Sequence, residues 1–76
     1  MVTATVLICC EPGKHPVVLE GVKKVGGLKK AFPVLGRWDI VAQVEAKDLK
    51  ALAQTSLRLA RKPGTRAVET LVEFEE

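Results

Sequence analysis

The residues best equipped for chemistry lie in one short run, Val34-Leu35-Gly36-Arg37-Trp38-Asp39-Ile40-Val41. A glycine there permits close backbone approach and dihedrals that other residues avoid. An aromatic ring and a carboxylate follow at once. Backbone N–H groups at such a turn can receive a carboxylate, and Asp39 can receive an ammonium. That combination suits a zwitterionic amino acid. The same residues also suit a plain hairpin, with Trp38 packed on a core and Asp39 fixing the turn.

Other chemistry is sparse. His15 is the single histidine and precedes Pro16 at an expected helix start. Thr3, Thr5, Thr55 and Ser56 have no nucleophile-elbow context. Cys9 and Cys10 are adjacent, so on a strand they point to opposite faces and do not share a metal ion. Buried structural cysteines are the expectation. Gly26-Gly27 follows a helix and precedes a strand, the reverse of a phosphate-cradling loop. These features imply no catalytic residues, no metal and no cofactor, and the chain is expected not to be an enzyme.

These residues must be positioned by 76 residues, enough for one small domain. The apolar share is 47% and the charged share 28%, which fits a folded globular chain and excludes a disordered tail. Aromatics are 4%, which weakens any case for base stacking on the sheet. Net charge is +3, with the basic surplus in residues 1–38. Its Lys/Arg occur in pairs, such as Lys23-Lys24 and Arg61-Lys62, as in a solvated mixed surface rather than a polybasic run. No signal peptide or apolar span of about 20 residues is visible. A cytoplasmic location with no membrane association is expected.

Residues 2–10 read as a strand closed by Glu11-Pro12-Gly13. Residues 15–25 read as a helix, with Val18, Val22 and Val25 on one face and Gly26-Gly27 ending it. Residues 28–35 make a second strand, and Pro33 predicts that it is an edge. A turn at Gly36-Arg37 leads antiparallel into a third strand over 38–45. Asp48 is the expected N-cap of a helix over 48–61, which Pro63-Gly64 stops. Residues 66–75 make the last strand, with Val68, Thr70, Val72 and Phe74 on one face and Glu69, Glu73 and Glu75 on the other.

The order βαββαβ predicts an α+β, ferredoxin-like sandwich: a four-stranded antiparallel sheet with both helices on one face. Right-handed crossovers put the first and third strands at the centre. The first strand is apolar on both faces, with Ala4, Val6 and Ile8 on one and Leu7 and Cys9 on the other. Two helices cover only one face, so a second copy is expected on the open one, giving a dimeric α+β barrel. The fold offers no spare helix for direct DNA binding.

The hairpin residues Val34-Leu35-Gly36-Arg37-Trp38-Asp39-Ile40-Val41 resemble the Val-x-Gly-x-aromatic-Asp-apolar-apolar pattern of the effector-binding (RAM) domain of Lrp/AsnC transcription regulators. The opening apolar strand, Glu45-Ala46-Lys47-Asp48-Leu49 and Thr70-Leu71-Val72 are compatible with it. Family members carry a helix-turn-helix before this domain, whereas this chain begins at the first strand. The expectation is therefore a stand-alone ligand-binding and oligomerisation domain over 1–76. The resemblance implies an amino acid effector held between dimers, with dimers assembled into octamer-like rings. It also implies co-assembly with full-length regulators. Carried over residue by residue, Leu35, Gly36, Arg37, Trp38, Asp39 and Thr70 would bind the ligand. Gly36 would give backbone room, Arg37 and Trp38 would line the site, and Asp39 would orient the turn or meet the ammonium. Val68 stands where many members have a polar residue, which bears on pocket polarity. The competing reading is a small dimeric α+β barrel enzyme of monooxygenase type, with its pocket inside one dimer.

Overall fold

The computed structural model describes residues 1–74. The elements follow the order β1 (Val2–Cys10), α1 (His15–Val22), β2 (Leu28–Pro33), β3 (Ile40–Ala46), α2 (Leu49–Ala60) and β4 (Thr65–Val72). They form a four-stranded sheet in the order β2-β3-β1-β4, antiparallel at every junction. This is the ferredoxin-like βαββαβ fold, with β1 and β3 central and β2, carrying Pro33, at an edge.

The core forms where alternating side chains of the central strands meet the helices. Ala4, Val6, Ile8 and Cys10 of β1 and Ile40, Ala42 and Val44 of β3 are buried, with Val18 and Val22 of α1 and Leu52 and Leu59 of α2. Strand period two and helix period near four therefore converge on one layer. The α2 start is held locally: the Asp48 carboxylate accepts the Ala51 N–H at 2.8 Å.

Several boundaries are shorter than the residue types suggest. The first helix ends at Val22, not near 25. Lys24 N–H and Val25 N–H donate to the Gly21 and Val22 carbonyls in tightened turns, which keep Val25 buried. Gly27 then passes close to β3 with φ +90°, and its carbonyl accepts the Glu45 N–H at 2.9 Å. A Cβ on Gly27 would lie 2.8 Å from the Glu45 carbonyl oxygen, so only glycine fits. Strand β2 stops at Pro33 because residues 34–39 form the hairpin loop, and β3 correspondingly begins at Ile40. The irregularity in β2 lies between Leu28 and Lys30, away from Pro33. Strand β4 ends at Val72, and Phe74 is exposed beyond it. Glu75, expected on the outer face, lies outside the described residues.

The second sheet face carries no helix. Phe32 pairs with Val41, and Val41 with Leu7, making a half-buried apolar row across three strands. Gln43, Thr5 and Leu71 form the adjacent row. Among the described residues, no helix is long and apolar enough to cross a membrane.

Candidate effector site

The β2–β3 hairpin is built by one carboxylate and three short hydrogen bonds. Val34 N–H donates to the Asp39 carbonyl at 2.9 Å and closes the loop. Asp39 N–H donates to the Ile8 carbonyl at 2.9 Å, and the Asp39 Oδ2 accepts the Cys10 N–H at 2.7 Å. The β1–β3 register ends at Ile8 opposite Ile40. Beyond that pair the ladder offers Cys10 no acceptor from β3, and the Asp39 side chain takes its place. A part-buried N–H is thereby satisfied.

The rest of the loop is open. Gly36 has φ +145°, with free space where a Cβ would stand. Leu35 is fully exposed, Arg37 is exposed and Trp38 is half-buried. A cavity of about 290 Å³ lies beside the hairpin, lined by His15, Pro33, Val34, Leu35 and Asp39. His15 is thus a neighbour of the hairpin, although the sequence marks it only as the single histidine at an expected helix start. The antiparallel pairing of β1 with β3 brings the start of α1 to the hairpin's end of the sheet. Only that topology reveals the proximity.

Burial, then the Asp39 charge, then Cys9 push the Cys10 thiol above its ordinary pKa. Cys10 is a buried thiol, and Cys9 on the adjoining face is half-buried. Asp48 caps α2 at the far end of β3 from Asp39, so these two carboxylates do not form a pair. Among the described residues, no group of three His, Cys, Asp or Glu stands close enough to hold a metal ion.

Thr70 lies elsewhere. It pairs with Val6 on β4, on the far side of β1 from the hairpin. Its hydroxyl shares a hydrogen bond of 2.9 Å with Ser56 of α2. This hydroxyl pair lies in a groove of about 490 Å³ between α2 and β4. Leu35, Gly36, Arg37, Trp38 and Asp39 therefore lie together in the hairpin, and Thr70 is not with them. The groove itself escapes reading from sequence. Leu49, Ala53 and Leu57 look like an ordinary helix face, and only the edge position of β4 leaves them uncovered.

The family model described as the Lrp/AsnC ligand binding domain matches residues 3–76. A search of curated proteins gives no match. Among solved structures, FFRP-DM1 is 32% identical, with a TM-score of 0.89 over 97% of this chain and 100% of that one. TTHA0845 from Thermus thermophilus is 27% identical, with a TM-score of 0.92 over 100% and 96% of the two chains. A transcriptional regulator from Neisseria meningitidis, NMB0573 in complex with L-Met, superposes with a TM-score of 0.86 at 18% identity. The match spans 99% of this chain and 51% of the regulator.

Proposed function

The chain belongs to the Lrp/AsnC ligand-binding domain family, and from that premise we propose that it senses a free amino acid at a site completed by two protomers. The observation that carries this reading is the separation of the hairpin from Thr70 within one chain. A site using both needs the hairpin of one protomer against the α2/β4 groove of another. Leu35 projects fully exposed from the first, and the groove is an uncovered apolar recess in the second.

The half-buried row Phe32, Val41 and Leu7 supports a dimer formed through the open sheet face. Contacts between hairpins and grooves then join dimers into a larger ring, octamer-like in the family pattern. Effector binding at those contacts acts on assembly, because a ligand shifts an equilibrium only through its different affinity for the two states. Full-length Lrp/AsnC regulators carrying the same domain are the natural co-assembly partners. The role is regulatory rather than catalytic.

Thermal-shift measurement against the twenty amino acids, with light scattering in parallel, tests this. At a ligand concentration of 100 times Kd, stabilisation of about 2.7 kcal/mol is expected, together with a change in assembly mass. No shift with any amino acid would overturn the reading.

A further inference from the structure

The open sheet face carries opposite charges on its two edges. Glu69 of β4 pairs with Leu7 and so extends the row of Leu7, Val41 and Phe32 to that edge. Thr70 turns toward Ser56 of α2, so Glu69 beside it turns to the open side. Glu73 is on the same side, where its Oε1 accepts the Thr3 hydroxyl at 2.7 Å. On the opposite edge, β2 is irregular between Leu28 and Lys30. The extra residue sends two consecutive lysines to one face, where a regular strand would alternate them. Lys30 lies over the Phe32 ring, 5.3 Å from its centroid, and Lys29 reaches Glu45 at 4.0 Å.

Two strands separate β2 from β4, which puts the edges about 14 Å apart. That exceeds a screening length of about 8 Å at physiological salt, so Lys30 and Glu69 of one chain do not neutralise each other. Among the described residues, Lys29–Glu45 is the one ion pair, and Lys30, Glu69 and Glu73 have none. Glu45 offsets Lys29 in part and leaves Lys30 uncompensated. A recess of about 230 Å³ over Thr3, Thr5 and Gln43 has Lys29 on one rim and Glu73 on the other.

Facing sheets lie about 10 Å apart, a gap that a lysine and a glutamate reaching toward each other can bridge. Aligned sheets related by a two-fold axis have two arrangements. With the axis along the strands, β2 of each copy lies over β4 of the other. With the axis across them, β2 lies over β2 and β4 over β4, lysine against lysine and glutamate against glutamate. Facing like charges are penalised, which favours the first arrangement.

We propose that charge at the sheet edges selects the partner: Lys29 and Lys30 on β2 of each protomer seat over Glu69 and Glu73 on β4 of a second copy. This rests on dimerisation through the open sheet face. The apolar row supplies affinity, and the edges supply register and the choice of partner. A related domain enters the pair only where its own second and last strands carry the same opposition.

Native mass spectrometry of the full chain at micromolar concentration and low salt tests this. Lys29→Glu/Lys30→Glu makes both edges acidic, and Glu69→Lys/Glu73→Lys makes both basic. Each double variant alone should dimerise about tenfold or more weakly than the parent. Mixing the two should restore dimers, which excludes misfolding as the cause. The chain carrying all four reversals should pair with itself and not with isotope-labelled parent. Mixed dimers of that chain with the parent would mean that β2 faces β2, and they overturn the proposal. Double variants that dimerise as tightly as the parent, or that fail to pair when mixed, also overturn it and leave the sheet-face dimer standing. A monomeric parent overturns that dimer itself.

Discussion

The Asp39 carboxylate accepts the Cys10 backbone N–H at 2.7 Å and so fastens the β2–β3 hairpin to the end of β1. The contact joins residues far apart in the chain and replaces a ladder bond that β3 no longer provides. Asp39 thereby has a full-time role in orienting the turn. Asp39→Ala leaves the Cys10 N–H without its acceptor, and a loss of about 1–3 kcal/mol is expected from a group stranded in this way. Asp39→Asn retains an acceptor oxygen and should lose less. Urea melts of both variants test the clamp. An Asp39→Ala protein as stable as the parent would show that the hairpin is held by other contacts.

Cys10 predicts a pH dependence with a definite sign. Burial, the Asp39 charge and Cys9 raise the thiol's pKa in the folded state. The folded chain then holds the proton more tightly than the unfolded chain does. Stability is unaffected below the unfolded thiol's pKa and falls as pH rises from there toward the folded value. Melting temperature should be flat near neutrality and decline in the alkaline range, with a shallower decline in Cys10→Ala. Iodoacetamide should leave Cys10 unmodified in the native protein at neutral pH, because the thiolate is the reactive form. Mass spectrometry showing rapid labelling of Cys10 would contradict this.

The uncovered sheet face makes a prediction about assembly. Leu7 sits half-buried in the row with Val41 and Phe32. Leu7→Lys puts an ammonium where a partner sheet would exclude water, and an isolated charge there is strongly unfavourable. The variant should sediment as a monomer at micromolar concentration, while the parent sediments as a dimer or larger. Equal masses for the two would refute assembly through this face.

Gly27 offers a test of the fold itself. Its φ of +90° and the 2.8 Å approach of a built Cβ to the Glu45 carbonyl both oppose a side chain. Gly27→Ala should cost about 1–3 kcal/mol, the usual range for a strained backbone position. Gly26→Ala, next door with open space for a Cβ, should cost far less. Similar melting temperatures for the two variants would discount the close approach.

The Ser56–Thr70 pair predicts coupling. Ser56→Ala or Thr70→Val alone removes one partner of a 2.9 Å hydrogen bond and should cost about 0.5–1.5 kcal/mol. The double variant should cost less than the sum, since neither hydroxyl is then left alone. Additive losses in a double-mutant cycle would mean that water already satisfies both groups.

The order of elements, the edge position of β2, the Asp48 cap and the alternation of Ala4, Val6 and Ile8 were legible in the residues. Each depends on interactions within a few positions or on a strict periodicity. Strand and helix ends were less legible. The first helix stops at Val22 because the chain must tighten to bring Gly27 against Glu45 of β3, and β2 stops at Pro33 because the loop is closed from Asp39. Both causes lie across the fold.

The candidate site divides in the same way. The turn over Leu35 to Asp39 was recognisable because it is written in five consecutive residues. The separation of Thr70 from that turn, the approach of His15 and the open groove between α2 and β4 followed from strand order alone. Local residue types decided which elements this chain forms and which hairpin it carries. The antiparallel sheet decided what meets that hairpin, because pairing brings together residues that the sequence keeps tens of positions apart.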